Sequence, residues 1–335
     1  MKYIGMDAHS STCTFSVMDK DGVELDNRTI ETNGRLLIKY TRRIEGTKKL
    51  AFEECELSNW LYTLLKNEVD DLIVCNPVAN TRYKEAKNDK LDARQLANLL
   101  RGGFMKAVYH DGSARERFRS LMSGYQDLIE EAIRLKCRYK SLFRKEGIRA
   151  NGGTLYSDES LLDNFKRSDF KFIGERTYLM LEKMEEERQK YVEEIRKENK
   201  KFKEIKVLKT LPGIGDIQAA KIVSQVIDPK RFKSKYKYNA YCGLAKHQKK
   251  SGGKDYGSTK IHGNRILKCV YKMAGHSALK GTSGLRKYYD QKRSEGISHY
   301  NAYNAVCRMI AAMSLSVWKN NKIYDDKEFI KNHLN

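Results

Sequence analysis

Residues 3–25 read YIGMDAHSSTCTFSVMDKDGVEL, and the architecture of the N-terminal part follows from them. Tyr3-Ile4-Gly5-Met6-Asp7 is a short apolar strand that ends on an acid. Thr12 to Met18 alternates in polarity and is rich in β-branched and aromatic residues. The turn cluster Asp19-Lys20-Asp21-Gly22 then folds it back into Val23-Glu24-Leu25. The chain is therefore expected to open as a β-meander with Asp7 on its first strand. Outward from there the periodicity changes. Gly34 to Ile44 has the spacing of a helix, Lys49-Leu50-Ala51-Phe52-Glu53 is a second strand ending on an acid, and Asn59–Lys66 is a second helix. Asp71-Leu72-Ile73-Val74-Cys75 is a further strand, stopped by Asn76-Pro77. Strands alternating with helices after a meander predict a mixed sheet with helices on its faces.

The segment Lys87-Asn88-Asp89-Lys90-Leu91-Asp92-Ala93-Arg94 starts another helix, predicted to run to about Leu100. Asp89 and Asp92 are three residues apart and project from one face. The strand-end acids Asp7 and Glu53 and this helical pair are placed to converge at one edge of the sheet. Four carboxylates meeting there repel one another unless cations neutralise them, and Mg²⁺ is the hard, oxygen-ligated ion suited to that role, with Mn²⁺ as the alternative. Taken singly, each acid is also an ordinary strand-end, helix-start or solvated residue, and Glu54 and Glu56 compete with Glu53 for the second position.

The middle of the chain is charged and periodic. Phe118, Leu121, Tyr125, Leu128, Ile129 and Ile133 predict an amphipathic helix from Ser113 to about Gly147, broken by Gly152-Gly153. A second long helix is predicted over 175–205, striped by Tyr178, Leu181, Met184, Tyr191, Val192, Ile195, Phe202 and Ile205. Its Glu/Lys/Arg-laced faces have coiled-coil character. An antiparallel hairpin within one chain and an arm that joins two chains both account for the stripe.

Towards the C-terminus, Leu211-Pro212-Gly213-Ile214-Gly215 followed by Asp216–Ile222 has the form of a helix-hairpin-helix. Its glycine turn, Gly213 and Gly215, exposes backbone N–H groups where a nucleic-acid phosphate can bind. Ser251-Gly252-Gly253 lies between the basic run Lys246, His247, Lys249, Lys250 and the cations Lys254, Lys260, His262 and Arg265. A hydroxyl among so many cations suits attack on a phosphodiester, and the same Ser-Gly-Gly is ordinary turn chemistry. Lys250, Lys254, Lys260 and Arg265 are the expected nucleic-acid contacts here. Arg308, in an apolar helix near the end, reads equally as a pairing residue and as a phosphate ligand.

The 335 residues carry 65 Lys and Arg against 43 Asp and Glu, a net charge of +22. That excess calls for a polyanionic partner, nucleic acid before an anionic membrane surface. No apolar run approaches the ~20 residues of a spanning helix. The 7 cysteines are scattered without metal-ligand or disulfide spacing. Together with an N-terminus that enters a strand directly, this predicts a cytoplasmic protein with reduced thiols.

The segments YIGMDAHSSTCTFSVMDKDG, AFEEC and KNDKLDARQLANLL resemble the N-terminal domain of the IS110/IS1111 transposases and the related Piv-type DNA invertases. LPGIGDIQAAKI, YCGLA, SGGK and the GNRILK run resemble, in the same order, the C-terminal domain of that family. Glu54-Cys55 after Glu53 and Ala245-Lys246 after Leu244 depart from the usual family pattern. The resemblance implies a RuvC-like (RNase H-type) α/β domain over 1–110, a helical coiled-coil arm over 111–205 and a mainly helical transposase domain over 206–335. It implies Asp7, Glu53, Asp89 and Asp92 as a DEDD metal set and Ser251 as a nucleophile that forms a phosphoserine–DNA link. It further implies donor and target DNA as substrates, a bridge RNA as guide, and dimers assembling into a tetramer in which the acids of one subunit meet the serine of another. Two other classes fit the residues alone: a metal-dependent nuclease or junction resolvase that uses water, and a non-catalytic nucleic-acid scaffold.

Overall fold

The computed structural model describes residues 1–77, 88–149 and 152–334. They divide into two compact units, Met1–Ala114 and Arg115–Asn335.

The first unit is a mixed α/β layer structure. Its strands are β1 (Lys2–Ala8), β2 (Thr12–Met18) and β3 (Glu24–Glu31). Helix α1 (Gly34–Arg43) leads to β4 (Lys48–Glu53), α2 (Ser58–Leu65), β5 (Asp71–Cys75), α3 (Asp89–Arg101) and the two-residue β6 (Ala107–Val108). The sheet order is β3-β2-β1-β4-β5-β6. β1, β2 and β3 form the expected antiparallel meander, β1, β4 and β5 run parallel, and β6 pairs antiparallel to β5. This mixed sheet fits the RuvC-like expectation. β3 extends to Glu31, past the predicted Leu25, because its polar residues occupy a half-exposed position at the sheet's edge where apolar alternation is not required. One core lies between the sheet and α1 and α2, with Ile4, Met6, Phe15, Leu37, Leu50, Phe52 and Leu61 fully buried.

The opposite face is covered by α3, and Gly5 explains how closely. A Cβ on Gly5 would stand 2.0 Å from the Ala93 carbonyl oxygen and 2.4 Å from the Ala97 nitrogen. Only glycine lets the helix backbone lie directly on β1. Side chains two residues apart on a strand share a face, so Asp7 points to the same side as Gly5. Ala51 pairs with Gly5, and Glu53, two residues on, shares that side as well.

The second unit is almost entirely helical. The predicted first long helix is α4 (Ala114–Lys145). The second is α5 (Ser168–Asn199), which begins seven residues before the predicted start at 175 and stops before Ile205. The expected continuation to 205 is a separate short helix, α6 (Lys203–Leu208). At the break, Phe202 caps α6, is buried and stacks on Phe118 at 5.2 Å, while the Asn199 amide donates to the Asp216 carbonyl at 3.3 Å. The apolar stripe thus passes through the break without a change in period. α4 and α5 pair antiparallel within the chain, as Tyr125–Tyr191 and Tyr139–Tyr178 ring contacts show.

After α6 come α7 (Asp216–Val226), α8 (Lys235–Tyr241), a two-stranded hairpin of β7 (Lys246–Ser251) and β8 (Lys254–Lys260), and α9 (Arg265–Ala278). Helices α10 (Gly284–Ser294), α11 (His299–Asn320) and α12 (Asp326–His333) complete the unit. One core joins these helices to the near ends of α4 and α5, and a smaller one, around Tyr139, Phe143, Leu155 and Tyr178, holds the far end of the pair. Among the described residues no helix is long and apolar enough to cross a membrane.

Candidate active site

Asp7 sits near the C-terminal end of β1, and the turn that follows places His9 against it: His9 Nε2 lies 3.1 Å from Asp7 Oδ2. The turn is fixed by the His9 backbone, whose N–H donates to the Thr12 carbonyl at 2.9 Å and whose carbonyl accepts from the Thr32 hydroxyl at 2.7 Å. Asn88 caps α3, its side chain accepting from the Lys90 N–H at 3.0 Å, so that Asp89 and Asp92 fall in the first helical turn. Both acids are favoured there by the helix dipole whatever else they do. Asp89 Oδ1 is 3.9 Å from His9 Nε2.

One ligand atom each from Asp7, His9 and Asp89 lies within 4.8 Å of the others. Asp92 stands outside this group, yet its charge acts on Asp7. Burial pushes the Asp7 carboxyl above its ordinary range; His9 opposes the shift, and the charges of Asp92 and Asp89 add to it. Glu53, at the neighbouring strand end, shares the α3 side of the sheet and is likewise outside the group of three. Its neighbour Glu54 lies beside the buried His110, with Oε1 3.7 Å from Nε2. The donor set fits a divalent cation. A half-buried carboxylate held near two others is the arrangement that a cation relieves, and the spacing needs only small side-chain movements to reach ordinary metal–ligand distances. Sequence reasoning overlooked His9. The Asp-x-His spacing across a strand end was the available signal.

Ser251 ends β7 and pairs with Lys254 across a two-residue turn. Gly252 and Gly253 have φ of 55° and 78°. Both lie in the left-handed region, as a tight hairpin turn with two positive-φ residues requires. Ser251, Lys250 and Lys254 are exposed, and Lys250 faces Asp255 across the ladder. Arg265 is the exposed first residue of α9, whereas the side chain of Lys260 lies outside the described residues. The hydroxyl therefore stands at the tip of a solvent-exposed hairpin.

Gly213, at φ 79°, and Gly215 lie in the turn between α6 and α7. A Cβ on Gly213 would be 2.5 Å from the Ala274 carbonyl oxygen, so this glycine is required by packing on α9. Gly215 caps α7, whose first-turn Asp216 is paired with Lys209 and Arg196.

A DEDD-type IS110 transposase profile matches residues 4–146, which include nearly all of the sheet, its acids and the whole of α4. A second profile, for transposases of the IS116/IS110/IS902 family, matches residues 205–290, from α6 through the serine hairpin into α10. The chain belongs to the IS110 family of transposases. It is 27% identical over 122 residues to the insertion element IS110 uncharacterized 43.6 kDa protein of Streptomyces coelicolor, covering 36% of this chain and 30% of that protein. It is 28% identical over 104 residues to the insertion element IS116 uncharacterized 44.8 kDa protein of Streptomyces clavuligerus, covering 30% of this chain and 26% of that one. The aligned stretch thus spans less than a third of either relative. A DEDD-type domain in this family goes with a divalent-metal requirement, in keeping with the donors gathered around Asp7.

Proposed function

We propose that this IS110-family chain is a site-specific DNA recombinase that moves an insertion element by cutting and rejoining DNA through a covalent phosphoserine link. The observation that carries the reading is the convergence of Asp7, His9 and Asp89, with Asp92 acting on Asp7, in a chain that also presents an exposed serine on a basic hairpin. Asp7, Glu53, Asp89 and Asp92 hold Mg²⁺, with Mn²⁺ able to replace it. When bound, the cation neutralises charge on the scissile phosphate.

Ser251 Oγ forms the new bond to phosphorus while a deoxyribose oxygen leaves, so the phosphodiester energy is retained for rejoining to a second strand. Lys250, Lys254 and Arg265 offset the charge that develops on the phosphate oxygens, and Lys260 is assigned the same role from its place in the sequence. The exposed hairpin tip suits this task, because an extended DNA backbone reaches it without obstruction.

The finer reading follows the family resemblance. The turn holding Gly213 and Gly215 acts as a helix-hairpin-helix contact to the DNA backbone, the α4–α5 pair as a coiled-coil arm, a bridge RNA selects donor and target DNA, and dimers assemble into a tetramer in the cytoplasm. A net charge of +22 supports the binding of nucleic acid. The three-part division at 1–110, 111–205 and 206–335 belongs to the same proposal.

Incubation with cognate RNA, end-labelled donor DNA and Mg²⁺, followed by denaturing electrophoresis, tests it. Cleavage that is lost in Asp7→Asn and in Ser251→Ala supports the recombinase. Cleavage that persists in Ser251→Ala assigns the chemistry to water and the acids alone. Absence of cleavage by the parent chain, with nucleic-acid binding unchanged in Asp7→Asn, would leave a nucleic-acid scaffold.

A further inference from the structure

A cavity of about 350 Å³ opens beside the root of the serine hairpin, between α9 and α11. Lys268 and Lys272 line it from α9, one helical turn apart; Tyr300, Asn304 and Arg308 line it from α11 at intervals of four residues; Lys246 closes it from β7. Among the described residues no acid lines it. Among the described residues none of these four cations forms an ion pair. The long helix α5 is different: Lys183, Arg188, Lys190 and Lys197 each pair with a glutamate three residues away. The chain thus neutralises basic side chains on α5 and leaves them uncompensated around this cavity.

The walls are fixed. Gly243, at φ 64°, packs so closely on Gly263 that a Cβ on the latter would stand 2.3 Å from the Gly243 nitrogen. Lys272 is held by the Asn304 side-chain oxygen and by the face of Tyr303, 4.6 Å from its centroid. Tyr300, by contrast, is 55% exposed and presents its ring at the rim, with Lys272 Nζ 5.4 Å from its centroid. Uncompensated cations, an accessible ring and the exposed amide of Asn301 are complementary to phosphate, base face and base edge in turn. The volume is at the small end of ligand sites, which suits one monomer unit.

We propose that this cavity captures one unstacked nucleotide of a single-stranded nucleic acid, its phosphate among Lys246, Lys268, Lys272 and Arg308 and its base on Tyr300. The inference rests on the nucleic-acid reading above and deepens it by fixing a strand at the hairpin root, close in sequence to Ser251. A duplex does not satisfy the site, because its bases are stacked and their faces are covered.

Fluorescence anisotropy with the full chain tests it, using oligothymidine and oligouridine of about eight residues and a duplex of matched length. Tyr300→Ala is expected to weaken binding of at least one single strand by about tenfold or more, and of the duplex by about twofold or less, while Tyr300→Phe binds like the parent. The strand that suffers the loss is the one that fills the cavity. Arg308→Gln is expected to reduce the salt-dependence slope for that strand by about 0.7. Both residues are exposed, and unchanged far-ultraviolet circular dichroism certifies the fold. Equal loss on single strand and duplex, no loss on any, or an unchanged salt slope overturns the cavity while leaving the recombinase reading intact. Failure of the parent chain to bind any of the three overturns both.

Discussion

The acids and the serine are held in opposite ways. Asp7 and Glu53 stand at the ends of paired parallel strands, and Asp89 and Asp92 lie in the first turn of a helix pressed onto β1 at Gly5. Their positions are set by sheet register, a capped helix and close backbone packing, before any ligand arrives. Ser251 is placed by a two-glycine turn on a hairpin whose first strand is exposed along its whole length. A metal centre needs donors fixed against their mutual repulsion, which takes a core. A nucleophile delivered to a long polymer needs reach, and a hairpin built from turn chemistry supplies it. The contrast predicts that the acid cluster fails through loss of charge or packing, and the serine only through loss of its hydroxyl.

The largest effect expected is at Ser251. Ser251→Ala is predicted to lower strand exchange by roughly a thousandfold or more, as removal of a nucleophile does. Metal binding by calorimetry and the melting temperature should stay at parental values, since the side chain packs on nothing that the fold requires. Parental strand exchange in that variant would break the comparison.

Next is Asp7→Asn. With a divalent cation at about a hundred times its dissociation constant, the parent chain should gain about 2.7 kcal/mol of stability, and the variant little of it. Without metal the difference should shift the other way as pH rises. Burial raises the Asp7 carboxyl above its unfolded value, so between those two values the folded state binds more protons than the unfolded state. Stability from this group is complete below the unfolded value and is lost as pH rises through the folded one. The neutral amide of the Asp7→Asn chain does not titrate and carries no such loss, so the metal-free variant should gain on the parent as pH rises from the unfolded value through the folded one. Urea denaturation across pH, with a chelator present, checks this.

Gly5→Ala sharpens the packing half of the comparison. Its Cβ would meet backbone of α3 on two sides, and backbone cannot rotate aside, so a loss of about 1–3 kcal/mol is expected. The metal-induced gain in stability should weaken as well, because α3 carries Asp89 and Asp92. The smallest effect belongs to Gly253→Ala. At φ 78° a side chain is strained, but nothing lies within 4 Å, so about 1 kcal/mol is expected. That cost should be confined to the hairpin and visible as faster amide exchange there, with the global melting temperature unmoved.

Much of the first unit was legible in the sequence because its signals are local. Period-two alternation marked β2, and in β1 and β4 an acid at the strand end stands out against a short apolar run. The end of β3 was not legible, since Asn27, Arg28 and Thr29 have no apolar alternation and the strand is defined only by its pairing with β2. β6 has two residues and exists only through β5. His9 escaped notice because its role comes from a turn that folds it back on Asp7, and the Asp-x-His spacing is its one trace in the sequence. The break after Asn199 was hidden by a stripe that continues in step through Phe202 and Ile205, with no glycine or proline to mark the interruption. The cavity between α9 and α11 needed the fold, because Lys268 and Arg308 are forty residues apart and meet only through helix packing.

The central claim is the covalent link at Ser251. Donor DNA labelled at either end, incubated with the chain, its RNA and Mg²⁺, then denatured and digested with protease, should yield a peptide carrying labelled nucleotide. Mass spectrometry should place the added mass on Ser251, and the species should be missing with Ser251→Ala and with Asp7→Asn. Cleaved DNA with free ends and no peptide attached, at equal yield in the Ser251→Ala chain, would contradict the account and assign the cut to water.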